Sequence, residues 1–159
     1  MNKKYLLSVL VENHPGILAK VAGLFSRRGF NIDSLAVGLS ELPGLSRITI
    51  VVNGDEAMVD QVAKQLNKLI DVVSIEVLQP AKAVQRELVL IKVSCQPKNR
   101  SEIIQISEIF RAKIIDVSPA SLTMEITGPS DKVDAFINML VPFGIIKIAR
   151  TGAIAVERN

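Results

Sequence analysis

The stretch Tyr5–Leu35, YLLSVLVENHPGILAKVAGLFSRRGFNIDSL, decides the fold. Tyr5 to Val11 is a short apolar run, the length of a buried strand and too short for a helix. The turn Asn13-His14-Pro15-Gly16 follows, and a helical pattern opens on Pro15 and Gly16. Proline suits a first helical turn because its missing N–H would have no intrahelical partner. Ile17, Leu18, Val21, Leu24 and Phe25 fall on one helical face. Arg27-Arg28 and then Gly29 read as a helix end, with cations at the negative pole and a residue free to turn left-handed. Phe30 to Ser40 reads as the next strand.

Outward from there the pattern continues. Leu45–Asn53 alternates Ile48, Ile50 and Val52 against Arg47 and Thr49, a strand. Asp55 is placed to cap a helix running through Ile70, with Val59, Val62, Leu66, Leu69 and Ile70 inward. A strand over 71–79 completes the order βαββαβ.

The remainder repeats that order in architecture, not in letters. Strands are expected over 86–95, 112–118 and 121–128, and a single closing strand over 145–157. Asn99 with Glu102 resembles a capping box for a helix through Phe110, and Ser130 is placed to cap a helix carrying Val133, Phe136, Ile137 and Leu140. The expected fold is α+β: two tandem ferredoxin-like domains over 1–79 and 86–159, each a four-stranded antiparallel sheet with two helices on one face, joined by a linker over 80–85. Leu6 and Leu10 make the helix-free face of the first sheet apolar as well. That face calls for another surface: self-association, domain docking or a partner chain.

Composition narrows the function. With 48% hydrophobic residues but only 4% aromatic and no Trp, the cores rest on Val, Ile and Leu. A net charge of +3, with no basic block longer than a pair, is not a nucleic-acid signature. RNA-recognition domains share this strand order but stack bases on sheet aromatics, and Tyr5 is the one tyrosine. The single Cys95 excludes an internal disulfide and reads as a small apolar residue near a strand end. The single His14 anchors no His-rich metal site, and His14 and Cys95 lie far apart as a nucleophile–base pair. No catalytic residue and no metal ligand set is expected. The polar start and short apolar run suit neither a signal peptide nor a membrane span, which points to a cytoplasmic protein.

The turn has the parts of an amino-acid pocket. A helix N-terminus exposes unbonded N–H groups and the positive end of the macrodipole. Gly16 lets a ligand approach the backbone, so the amides of Gly16, Ile17 and Leu18 suit a carboxylate. Asn13 offers a donor and an acceptor, Asn31 an acceptor for an ammonium, and Ile17, Leu18 and Ile32 apolar contact. The same residues also suit an ordinary loop-to-helix turn in which Asn13 bonds its own backbone and His14 is a surface residue. The residues alone leave both readings open.

Residues 7–38, LSVLVENHPGILAKVAGLFSRRGFNIDSLAVG, resemble the opening of an ACT domain, and more narrowly that of the regulatory (small) subunit of acetolactate synthase, also called acetohydroxyacid synthase. The family pattern is met at Asn13, Gly16, Leu18, Leu24, Phe25, Arg28, Gly29, Phe30, Asn31, Ile32, Ser34 and Leu35. The segments LSRITIVVNGDE, QLNKLIDVVSI and EIFRAKIIDVSP extend the resemblance over essentially the whole chain.

The resemblance implies a non-catalytic subunit. Its partner would be a catalytic large subunit that carries thiamine diphosphate, Mg and FAD and joins two 2-oxo acids with loss of CO2. This chain would hold no cofactor, raise the partner's activity, and confer feedback inhibition by valine or another branched-chain amino acid. ACT domains of the family pair side by side into one continuous sheet. The implied effector site is therefore Asn13, His14, Pro15, Gly16, Ile17 and Leu18 of one copy facing Asn31 and Ile32 of a second. The second domain lacks an Asn-x-x-Gly turn, which implies dimer packing or coupling for it. The rival readings are a free-standing tandem-ACT amino-acid sensor and a small acylphosphatase-like enzyme. The latter's Gly-rich loop leading to Arg has no match here.

Overall fold

The computed structural model describes residues 3–158, so Met1, Asn2 and Asn159 of the expected domain ranges lie outside it. The chain divides into two compact units: residues up to Gln85 together with those from Ala153 onward, and Arg86–Gly152.

In the first unit β1 (Lys3–Glu12), α1 (Ile17–Arg27), β2 (Ile32–Leu39), β3 (Leu45–Gly54), α2 (Glu56–Asn67) and β4 (Val72–Leu78) follow in the expected order. The sheet order is β2-β3-β1-β4, all antiparallel. Alternation decides which side chains enter the core. Leu7, Val9 and Val11 of β1 and Ile48, Ile50 and Val52 of β3 pack under Ile17, Val21, Leu24 and Phe25 of α1 and Val59, Val62 and Leu66 of α2. Asp55 caps α2, its carboxylate accepting from the Met58 N–H at 2.8 Å.

Two expectations fail at helix ends. Leu18 lies one step round from Ile17 and is exposed instead of buried. α2 ends at Asn67 in tight bonds from Lys68 N–H to the Gln65 carbonyl and Leu69 N–H to the Leu66 carbonyl, so Ile70 leaves the helix and is 93% exposed.

The opposite face of the first sheet is covered by the chain's own tail. Expected residues 145–157 form two strands, β8 (Ile145–Arg150) and β9 (Ile154–Glu157), because Gly152 turns left-handed at φ 80°. Residues 80–85 are no free linker. A 3-10 turn, Pro80–Lys82, leads straight into β5 (Ala83–Ser94), and β9 pairs with β5. The Arg158 N–H donates to the Lys82 carbonyl at 2.8 Å. Ala83, Ala153 and Ala155 then pack on Leu6, Val51 and Leu78. Three alanines allow the backbone close to the sheet. By their contacts, the residues from Ala153 onward fold with the first unit.

The second unit adds α3 (Arg100–Ile109), β6 (Lys113–Ser118), β7 (Ser121–Gly128) and α4 (Ser130–Leu140), with sheet order β6-β7-β5-β8. Its core sets Val89, Ile91 and Val93 against Ile103, Leu122, Met124, Ile126, Phe136 and Leu140, with Phe110 and Phe136 centroids 5.2 Å apart. Cys95 is buried in that core, just past the end of β5. The expected caps differ. The Asn99 side chain accepts from the Gln96 N–H at 2.8 Å and leaves α3 uncapped, while Pro129 takes the cap position of α4 and moves Ser130 into the helix. No helix among the described residues is long and apolar enough to cross a membrane.

Candidate functional site

The Asn13–Leu18 turn is held by backbone bonds from three directions. The Glu12 N–H donates to the Asp71 carbonyl at 2.9 Å, Asn13 N–H to the Gly44 carbonyl at 3.0 Å, and Ile17 N–H to the His14 carbonyl at 3.4 Å. Gly16 sits at φ 89°, ψ −9°. These are the values of the third residue of a type II turn, with Pro15 at the second. Pro15 therefore precedes the helix and does not begin it. Gly16 is the helix cap residue, and no side chain caps α1. Among the described residues the amides of Gly16, Leu18 and Ala19 have no acceptor, whereas that of Ile17 is committed to the turn. The Ile17 side chain is core; Asn13 and Leu18 face outward.

Asn31 and Ile32 lie at the other end of the sheet. Ile32 pairs with Val52, which pairs with Tyr5, while the turn leaves from Glu12, paired with Leu45. Seven residue steps separate Tyr5 from Glu12, roughly 23 Å along a strand. Within one copy the two halves of the expected site do not meet.

His14 is no loose surface residue. Its Nε2 lies 2.7 Å from Asp71 Oδ1, its Nδ1 2.9 Å from the Pro15 carbonyl, and Lys20 Nζ lies 2.8 Å from Asp71 Oδ2. Both ring nitrogens face acceptors, so the imidazolium is the species that satisfies both. The Pro15 carbonyl and the Asp71 carboxylate accordingly raise the His14 pKa above the ordinary histidine value. Bonds from Lys20 and His14 hold Asp71 below the usual carboxylate range. Glu12, His14 and Asp71 offer ligand atoms within 4.8 Å of one another, but the Lys20 ammonium already neutralises Asp71. Asp71 was invisible as a site residue: it sits between α2 and β4, and no local motif ties it to the turn.

Residues 7–74 match the family model described as the AHAS small subunit-like ACT domain, and residues 86–159 match that of the small subunit of acetolactate synthase. The chain belongs to the acetolactate synthase small-subunit family. It is similar to the probable acetolactate synthase small subunit of Methanothermobacter thermautotrophicus, 53% identical over 98% of this chain and 93% of the relative. It is likewise 51% identical to the acetolactate synthase small subunit of Mycobacterium bovis, over 99% of this chain and 94% of that one. The crystal structure of the acetolactate synthase small subunit from Thermotoga maritima superposes with a TM-score of 0.92 at 49% identity, covering 99% of this chain and 98% of that one.

The segment matched by the ACT-domain model therefore contains the whole turn and its brace at Asp71. The segment matched by the C-terminal model runs on through β9, the strand that folds back onto the first unit.

Proposed function

We propose that this chain is the non-catalytic regulatory subunit of an acetolactate synthase, activating a thiamine-diphosphate-dependent catalytic subunit and conferring feedback inhibition by valine. The effector's carboxylate docks on the free amides at the start of α1, beside Asn13 and Gly16. Its ammonium and aliphatic side chain meet Asn31 and Ile32 of a second copy. The observation that carries this reading is the separation of the two half-sites at opposite ends of one sheet. β2 is an edge strand, and Val37 and Leu39 on it are left exposed, Leu39 at 80%. Identical edge strands joined round a two-fold axis pair antiparallel. Such a pairing brings Asn31 of one copy toward the end of the sheet where the other copy's turn opens.

Valine that bridges two copies shifts the holoenzyme only by its different affinity for two arrangements. Coupling of about 1–3 kcal/mol is ordinary, and a few hydrogen bonds supply it. The test is calorimetric titration of the chain with valine, leucine and isoleucine, repeated with Asn31→Ala. Binding of at least one, weakened by Asn31→Ala, is expected; no binding of any of the three overturns the reading. Co-purification with a large thiamine-dependent chain separates it from a free-standing sensor.

A further inference from the structure

We infer that His14, Asp71 and Lys20 form a positioning clamp on the effector turn that makes effector affinity fall as pH rises. The inference rests on the effector reading above. Asp71 braces the turn twice: its carbonyl receives the Glu12 N–H at 2.9 Å, and its carboxylate receives His14 at 2.7 Å and Lys20 at 2.8 Å. His14 in turn closes onto the Pro15 carbonyl at 2.9 Å, within the same type II turn that Gly16 completes. The ring thus ties the loop before β4 to the corner whose amides receive the carboxylate.

The charged groups facing His14 are Glu12 at the end of β1, Lys20 on α1 and Asp71 before β4. With the imidazolium these four groups sum to zero; with neutral imidazole they sum to −1 at the place where an anion must dock. Deprotonation also removes one of the ring's two donors, so either the Pro15 or the Asp71 bond is lost. Both effects weaken carboxylate binding in the same direction. By linkage, a bound carboxylate must then hold the His14 proton more tightly, and binding takes up protons.

The experiment is calorimetric titration of L-valine into the full chain from about pH 6 to about pH 8, where valine itself keeps one charge state. Buffers of different ionisation enthalpy give the proton count. The wild-type affinity is expected to fall about fivefold or more across this range, the lower end of ordinary coupling, with net proton uptake. His14→Gln keeps a polar side chain at a partly exposed turn and should bind with no pH slope and no proton uptake. Asp71→Asn should weaken binding at every pH, with partial rescue by Asp71→Glu; if Asp71→Asn does not fold, His14→Gln still decides. Valine binding that is flat in pH, or that keeps its slope in His14→Gln, overturns the clamp and leaves the effector reading standing. Absence of valine binding at every pH in the wild type overturns both.

Discussion

Leu6 pairs with Val51 on the helix-free face of the first sheet, and both are buried, at 3% and 8% exposure. The cover is the pair of alanines Ala153 and Ala155 with Ala83. A chain ending at Gly152 should lose about 1.5–3 kcal/mol for each large aliphatic side chain it uncovers. Urea unfolding should show the loss, and binding of an apolar dye the exposed face. Ala155→Leu should cost about 1–3 kcal/mol by overpacking. Unchanged stability in both variants would mean that the tail does not cover this face.

Gly16 holds φ 89°, and a Cβ built there meets nothing within 4 Å. Gly16→Ala should therefore cost about 1–2 kcal/mol through left-handed strain alone, with no clash. Gly16→Asp adds a negative charge beside the open amides and should also abolish valine binding. Urea unfolding and calorimetry, run on both variants, separate the two effects.

Phe136 is fully buried against Phe110 in the second unit. Phe136→Ala should cost about 3–5 kcal/mol. Ile109, 75% exposed at the end of α3, should tolerate alanine within about 0.5 kcal/mol. Denaturant midpoints of the two variants check the contrast.

The clamp should also mark the pH dependence of stability. The folded state raises the His14 pKa, so its contribution is complete below the ordinary histidine value and is lost as pH climbs through the raised one. Asp71 is lowered, so its contribution is present above the ordinary carboxylate value and is lost as acid passes the lowered one. Stability from this cluster should peak in weak acid. Urea midpoints across pH should lose their alkaline limb in His14→Gln and part of their acid limb in Asp71→Asn.

Leu39→Lys places a charge on the exposed end of edge strand β2. Sedimentation should show a weakened or abolished dimer, and valine affinity should drop with it. A wild-type-like dimer would move the interface elsewhere.

The order of strands and helices was legible because Tyr5 to Val11 is an apolar run of strand length, Ile48, Ile50 and Val52 recur with period two, and apolar residues recur with helical spacing from Ile17 to Phe25. The Asp55 cap was legible for the same local reason. Asn99 and Ser130 misled: each has the chemistry of a cap, but Asn99 spends its carbonyl on Gln96 N–H, and Pro129 already holds the position before Ser130. Pro15 suited a first helical residue, and only the left-handed Gly16 after it moved the helix start to Ile17. For the site, Asn13 and Gly16 were found through their turn; Asp71 was not, because its partner His14 lies in a segment far along the chain.

By itself the sequence determined the two βαββαβ patterns, the inward faces apart from Leu18 and Ile70 at helix ends, and the glycine corner, since each depends on residues within a few positions of one another. Tertiary structure alone decided that the tail from Ala153 covers the first sheet, that Asp71 grips His14 and Lys20, and that Asn31 lies a full strand away from Asn13. Those outcomes depend on strand order and register, which bring distant residues together or hold near ones apart.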